Sequence, residues 1–592
     1  MIKEKLAEIL QKALVEACES GKMGPLTKAE AESGTVAIVI EKPKSAEHGD
    51  FACGMALKMA GQVKTSPLRI AETLAEYIGK SKAVESGAIA KVSVAAPGFI
   101  NFTLGTAWLT DVINDVHRQT GDYGRSQTGA GKKVLVEYVS ANPTGELHIG
   151  HGRNAVFGSC LSNLMKFGGY HVDQEFYIND YGEQILHLGR CAWALYQRLQ
   201  GQDVEYPAEG YPEEFLRDFV QKVVDVHGDK YLQSADQGPF VVGDLVKDLI
   251  IENQKTLLQN LGIEFDDWYS ERSLHASGKV ADVLKEFDKH GFTYEKDGAY
   301  WLKAQELGDE RDRVLRKSTG ATTYLANDAA YHLEKYRRGY DFIINIWGAD
   351  HHGQVPGLKG AVRALGQDPS KLEVVLTQMV NLSRDGQIVK MSKRAGTVIM
   401  LSEVVDEVGV DATRYYLAES SPQNTINFDL DLAKKTSREN PAFYIQYAHA
   451  RCCAILRRAL EPAVNAETGK TDEPPFTQAQ WQEFLRDYQS GGDVFTALFD
   501  LDTTIVGHQK ALIARLELFP DEVEEALKTR LPGRIARYAY DLANDLQKFY
   551  EVSRVITDQL SVSKARLGLI FATKQVLSNA LGIIGVSAPE RM

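Results

Sequence analysis

The stretch that most constrains this chain is KKVLVEYVSANPTGELHIGHGR, residues 132–153. An apolar run over 134–139, interrupted only by Glu137, reads as a strand. Asn142-Pro143-Thr144-Gly145 then turns the chain. His148-Ile149-Gly150-His151-Gly152 opens a segment whose apolar residues (Val156, Cys160, Leu161, Leu164, Met165, Phe167) recur at helical spacing. Strand, tight turn and helix N-terminus in that order predict a parallel α/β sheet, with this junction at a strand's carboxyl end, where ligands bind. The unpartnered amides and positive dipole of a helix N-terminus attract phosphate.

Two histidines three apart in a first helical turn share one face. Two imidazoles there can hydrogen-bond a phosphate and stabilise negative charge growing on it. Gly150 and Gly152 let a base or phosphate approach the backbone. A zinc pair and plain surface histidines are the competing interpretations. Helical zinc pairs are more often four apart, as in H-E-x-x-H, and no glutamate follows His148.

A second polar segment, QIVKMSKRAGT over 387–397, lies far downstream between Gly386 and Gly396. Alone it reads as a basic surface turn. Paired with the first, Lys390 and Lys393 suit neutralisation of a departing pyrophosphate. The two strings resemble the HIGH and KMSKS signatures of class I aminoacyl-tRNA synthetases, with Arg394 in place of the final serine. VEYVSANPTGELHIGHGRNAVFG resembles arginyl-tRNA synthetases in particular.

The resemblance implies a multidomain α/β protein: a class I Rossmann-like catalytic domain, an α+β N-terminal domain and an all-α C-terminal anticodon-binding domain. Length agrees, since 592 residues exceed one domain. Residues 1–115 read as the α+β unit, which in that family touches the outer corner of the tRNA. Asp50 is expected to cap a helix, and Phe99, Asn101 and Phe102 to lie on an exposed strand. A Gly/Ser/Thr-rich linker over 121–131 follows. The catalytic region is placed at 116–435, with the histidine signature over 141–151, an insertion over about 190–275 and the lysine loop over 386–397. Asn179-Asp180 is expected to cap the long helix after the second strand. Residues 265–271 resemble an arginyl-specific motif and otherwise read as a strand entering the second half. Helical periodicity marks 436–592 as the C-terminal domain.

By resemblance, His148, His151, Lys390 and Lys393 carry catalysis, and Gly150, Asp350, His351 and Met391 join the histidines and Lys393 around ATP. Arginine is planar and permanently charged, so carboxylates and a hydroxyl should meet it. Asp328 and Tyr324, four apart at a helix start, fit and match family positions. Glu137, an acid in a buried strand, is costly unless paired, and the substrate's cationic groups would pair it. Ser140 and Asn142 complete the arginine set. Some relatives place glutamine near Ala349. Tyr444, Tyr447 and Arg451 form an aromatic and cationic face suited to unpaired bases; Tyr550 and Met592 match family positions near the anticodon. The expected partners are tRNA(Arg), arginine and ATP with Mg2+, with no structural zinc and no protein metal site.

Composition bounds the alternatives. The formal charge of −13 counts mildly against a nucleic-acid partner. The six cysteines lack a CxxC pattern, so neither a zinc ribbon nor a disulfide framework is suggested. No signal peptide or uninterrupted apolar run of spanning length is seen, so the expectation is a cytoplasmic protein without membrane contact; the resemblance implies a monomer. Three other possibilities stay open: a cysteinyl or glutamyl synthetase, a non-catalytic synthetase-like RNA binder, and a manganese phosphoesterase suggested by Asp350-His351-His352.

Overall fold

The computed structural model describes every residue except 1, 34–36, 44, 235, 390–398, 465–470 and 491–492. Lys390, Met391 and Lys393 therefore lie outside the described residues.

The N-terminal region is α+β. Helix Ile2–Glu19 buries Ile2, Leu6, Leu10, Ala13, Leu14 and Ala17, a stripe at three- and four-residue spacing. It accompanies a four-stranded antiparallel sheet in the order Ile40–Glu41, Phe51–Cys53, Phe99–Leu104, Ile89–Ala95. Strand Phe99–Leu104 is thus central, which explains why Asn101 and Phe102 are buried rather than exposed as expected. Asp50 caps no helix. Its carboxylate accepts from Leu104 N at 2.7 Å and its amide donates to Phe102 O at 2.8 Å, while the next helix, Met55–Val63, starts after Gly54.

The central sheet has five parallel strands in the order Leu372–Thr377, Phe342–Gly348, Lys133–Glu137, His171–Ile178, Asp267–Ser270. The chain builds outward on one side of Lys133–Glu137, then returns to build on the other. The topological switch point lies beside Lys133–Glu137, at whose carboxyl end a ligand crevice is expected. Asp267–Ser270 does not enter a second half but forms the outer strand of this same sheet. Near the far edge, Val380–Arg384 pairs in parallel with Ile426–Asp429.

Helices Glu183–Leu199, Glu213–His227 and Gly238–Asn260 gather around their own core, with Leu188, Tyr196, Leu216, Val220 and Val242 buried. The unit starts earlier than the expected 190 because its first helix is one wall of that core. Gly189 and Gly243 let two of the helices meet backbone to backbone: a Cβ on Gly243 would lie 2.5 Å from Gly189 Cα. Asp180 does not cap Glu183–Leu199, where Gly182 holds that position. Its carboxylate instead accepts from Ser270 Oγ at 2.7 Å and Arg272 N at 2.9 Å, holding the start of the short helix Glu271–Ala276.

The C-terminal region is helical apart from a small two-stranded pairing, Ala463–Val464 with Thr471–Asp472. Its core helix, Leu560–Ile584, has the length and composition to cross a membrane, but 67% of its most apolar stretch is buried inside the protein. Helix Thr106–Gln119 packs against Thr503–Glu517 and Leu560–Ile584. Buried His117 bonds Gly568 O through Nε2 at 2.8 Å, and burial pulls its pKa down to about 4. The boundary expected at 115 falls inside this helix. The stretch 121–131, expected as a linker, is held against the C-terminal helices. Ser126 and Thr128 bond Glu524, and Asn579 Nδ2 donates to Thr120 O and Tyr123 O at 3.1 Å. Gly124, at φ +86°, lies where a Cβ would meet the Phe519 ring at 2.4 Å. Gly124 and Gly129 in this stretch serve close packing.

Candidate active site

Helix Ile149–Phe167 begins at the carboxyl side of Lys133–Glu137, with His148 as its N-cap. His148 Nδ1 accepts from Gly150 N at 3.1 Å and His151 N at 3.4 Å; His151 Nδ1 accepts from His148 N at 3.2 Å. The rings stack 3.7 Å apart at 18°. Because each Nδ1 accepts, each neutral ring carries its proton on Nε2, the edge suited to donate to a phosphate. Gly152 does not open the backbone to a ligand as expected. A Cβ there would sit 2.5 Å from Leu401 Cδ1, so this glycine admits Leu401. The same segment is stitched to the helix start, with Leu401 N bonding Leu147 O at 2.8 Å and Ile149 N bonding Ile399 O at 3.3 Å.

Beside the switch point lies a cleft of about 1030 Å³. Of the expected residues, Glu137, Ser140, Asn142, Tyr324, Asp328 and His351 line it; His148, Gly150, His151 and Asp350 do not. Tyr177, Asp180, Glu271, Asn327 and Gln354 join the lining. The strand ends in two left-handed residues, Val139 at φ +67° and Ser140 at φ +42°. This conformation is unusual for a β-branched residue. It is held by Asn154 Oδ1 accepting from Val139 N at 2.7 Å and Ser140 Oγ accepting from Tyr177 N at 3.2 Å. It also lets Ser140 Oγ donate back to Glu137 at 2.8 Å.

Two carboxylates of the central sheet, Glu137 in the cleft lining and Glu175 outside it, have built-in cations. Glu137 does not wait for a substrate cation, because Lys335 Nζ, fully buried, lies 2.5 Å from its carboxylate and 3.0 Å from Asn345 Oδ1. An acid in the central strand needs a permanent partner for the protein to fold without substrate. Glu175 is likewise met by Arg338, at 2.5 Å and 2.9 Å, and by Tyr331 OH at 2.5 Å. We expect Lys335→Met, which strands the Glu137 charge, to cost about 3–5 kcal/mol of stability, measured by urea unfolding; a loss under about 1 kcal/mol would contradict this.

Glu271 and Asp328 are different. Among the described residues neither forms an ion pair. Burial, with Glu137 and Glu271 nearby, pushes Asp328 up to about 7. Burial also pushes Glu271 up to about 7, against the Asn327 Nδ2 donor at 2.8 Å and with Asp180 adding repulsion. These two acids face one cleft, and a cation entering it would favour their charged forms. Glu271 and Lys335 escaped the sequence reading. The available signal for Glu271 was an acid immediately after a strand end, in the stretch 265–271. Asn142 Nδ2 bonds Gln184 Oε1 at 2.8 Å, tying the turn to the helical unit. Tyr324, at the first position of helix Tyr324–Arg337, is 76% exposed at the mouth. Asp350 and His351 are exposed in the turn Ala349–Gln354, at the carboxyl end of Phe342–Gly348. Among the described residues no group of three or more His, Cys, Asp or Glu is placed to hold a metal ion.

Far from this cleft, Arg451 stacks between Tyr447 and Tyr550, 4.7 Å and 4.9 Å from the ring centres, and Nη2 donates to Tyr447 OH at 2.9 Å. Both tyrosines are exposed. Tyr444 does not share this face; it is buried against Tyr540 at 5.6 Å. The chain terminus runs along the same helix, with Pro589 O bonding His449 at 2.9 Å and Glu590 O accepting from Arg457 at 3.0 Å, and Met592 is exposed.

Three family models match the chain: the arginyl tRNA synthetase N terminal domain over 1–104, the class I (R) tRNA synthetase catalytic domain over 113–437, and the DALR anticodon binding domain over 445–592. An arginine–tRNA ligase of Desulfitobacterium hafniense is 41% identical over 100% of this chain and 99% of its own length. One from Caldanaerobacter subterraneus is 42% identical with the same coverage. The solved Thermus thermophilus arginyl-tRNA synthetase superposes with a TM-score of 0.70 over 100% of both chains at 20% identity, a likeness of fold.

Proposed function

The chain belongs to the arginine–tRNA ligases, the arginyl-tRNA synthetase family, and on that premise we propose how its residues divide the work of charging tRNA(Arg). Arginine enters the cleft with its cationic groups against Asp328 and Glu271, and Tyr324 offers a hydroxyl at the mouth. Ser140 and Asn142 lie beside the substrate's main-chain end. MgATP lies at the start of helix Ile149–Phe167, where the Nε2–H groups of His148 and His151 donate to its phosphates. Asp350 and His351 face its ribose and phosphates.

The arginine carboxylate attacks the α-phosphorus; a new P–O bond forms and the bond to pyrophosphate breaks. The histidines, with Lys390 and Lys393, hold the charge that moves onto the phosphates. A ribose hydroxyl of the tRNA's terminal adenosine then attacks the arginyl carbonyl and releases AMP. Tyr447, Arg451, Tyr550 and Met592 offer the surface for anticodon bases. We propose a cytoplasmic monomer that activates arginine only with tRNA bound.

The observation that carries the arginine assignment is the set of acids in the cleft at the switch point, buried Glu271 and Asp180 and half-buried Asp328, none of which forms an ion pair among the described residues. The test is pyrophosphate exchange into ATP with each of the twenty amino acids, with and without tRNA. Exchange with arginine alone, and only with tRNA, is expected. Exchange with another amino acid would overturn the specificity residues; arginine exchange without tRNA would overturn the coupling.

A pH dependence follows. Asp328 and Glu271, both held up to about 7, are largely protonated below that pH. The guanidinium needs their charged forms. Arginine KM should therefore fall as pH rises from about 6 to 8, and arginine binding near neutrality should release protons. Calorimetry in buffers of different ionisation enthalpy reads the release. A flat KM with no proton release would remove these two acids from the site. Without arginine, the same raised pKa values give the folded protein more bound protons than the unfolded chain between about 4 and 7, so their contribution to stability falls as pH rises through that window.

A further inference from the structure

Arg153 lies one turn into helix Ile149–Phe167 and is 1% exposed. Its four hydrogen bonds all run to main-chain carbonyls. Nη1 donates to Gln378 O at 2.7 Å and Met379 O at 3.1 Å; Nη2 donates to Ser421 O at 2.9 Å and Pro422 O at 3.3 Å. No carboxylate offsets its charge among the described residues, and burial pulls its pKa down to about 10. A guanidinium kept dry with only carbonyl dipoles around it is a poor choice for stability, since an apolar side chain of similar volume fills such space at lower cost. What it provides is a planar fork that grips two separate backbone segments at once.

Those two segments lead into neighbouring strands. Met379 directly precedes Val380–Arg384, and 421–422 lie just ahead of Ile426–Asp429, its parallel partner. The segments also bond each other, Gln378 N to Pro422 O at 2.9 Å. Val380–Arg384 continues through the short strand Gln387–Ile388 to Val389, whose amide bonds Leu382 O at 2.8 Å; Lys390 and Lys393 follow in the chain. Residues 399–401 return to Leu147 and Ile149. The helix that carries His148 and His151 is therefore joined, among the described residues, to both flanks of the segment that carries the lysines, and on one flank the Arg153 side chain supplies the hydrogen bonds.

We propose that Arg153 is a positioning residue for arginyl-adenylate formation, setting the distance between the His148–His151 turn and the strand that leads to Lys390. This rests on the assignment of both signatures to ATP made above. Groups on two elements can stabilise one transition state only if their separation is held, and a misplacement of about 1 Å costs roughly 100-fold in rate. Arg153 contacts no substrate in this scheme. Its loss should lower turnover and leave arginine recognition, which depends on Asp328 and Glu271, intact.

The test is pyrophosphate exchange by R153M and R153K in the full-length protein with tRNA, varying ATP and arginine separately, alongside equilibrium arginine binding and urea unfolding. R153M is expected to lose roughly 100-fold in kcat with arginine KM and affinity within about threefold of wild type. R153K keeps the charge, but one ammonium cannot reach both carbonyl pairs, so its kcat is expected to fall about tenfold, again with arginine KM unchanged. Turnover within threefold of wild type in both variants would overturn the proposal. So would an arginine KM that rises in step with the fall in kcat, the mark of a generally disordered site. If R153M does not fold, R153K decides by the same two readouts. A wild-type protein without arginine exchange would instead overturn the underlying assignment.

Discussion

His151→Ala is expected to lower kcat for arginine-dependent pyrophosphate exchange by about 100- to 1,000-fold, the cost of removing one preorganised donor to a developing oxyanion. Arginine KM should change little, because the ring does not line the arginine cleft. The effect belongs to kcat because the phosphate oxygens gain charge only as pyrophosphate departs, so the Nε2–H bond is stronger in the transition state than in the ground state. His151 is a better target than His148. The latter is the helix N-cap, accepting from two amides, and its loss would add about 1 kcal/mol of instability. Stopped-flow adenylate formation with saturating substrates reads the chemical step directly. A variant with wild-type turnover would remove His151 from the phosphate site.

Asp328→Ala should act on the other substrate. Removing one member of a desolvated charge pair costs about 2–5 kcal/mol, roughly 30- to 5,000-fold in arginine KM. ATP KM should stay within about threefold, since the nucleotide site is assigned to a different element. Glu271→Gln adds a sharper readout. It removes one of the two negative charges that, after burial, help to raise Asp328, so Asp328 should ionise more easily and the fall of arginine KM with pH should move to lower pH. Equal losses in both substrate constants would argue against a specific guanidinium contact.

The strand, the turn and the histidine-capped helix were legible because their chemistry is local. A nearly continuous apolar run, Asn-Pro-Thr-Gly and two close histidines state their arrangement within one stretch. The hairpin that joins Thr293–Lys296 to Ala299–Leu302 is local in the same way, since its Asp297-Gly298 turn has both residues in the left-handed region. What stayed hidden depended on distant partners. Glu137 was correctly marked as an acid in need of a cation, but the cation is Lys335, on a helix from the other half of the fold. Asp180 looks like a helix cap from its neighbours in sequence; its partners, Ser270 and Arg272, arrive only when the outer strand joins the sheet. Tyr444 and Tyr447 differ by one helical step, and only the position of Tyr540 decides that one is buried and the other exposed. Glu271 became a candidate when its burial, its place in the cleft lining and the absence of an ion pair among the described residues could be read together.

Helix Thr106–Gln119 bears on how this polypeptide can be cut. Sequence composition invites removal of the first 115 residues as an independent module. The rings of Tyr488, Phe495 and Phe571 gather around His117 at 4.6 Å, 5.9 Å and 4.8 Å. A fragment starting after 115 would lose most of the helix that covers them and present an aromatic patch to solvent, a recipe for aggregation during expression. A fragment starting just before Thr106 keeps that seal, and only the antiparallel sheet and its helices are left behind. Anyone building chimaeras between such chains should place the splice there.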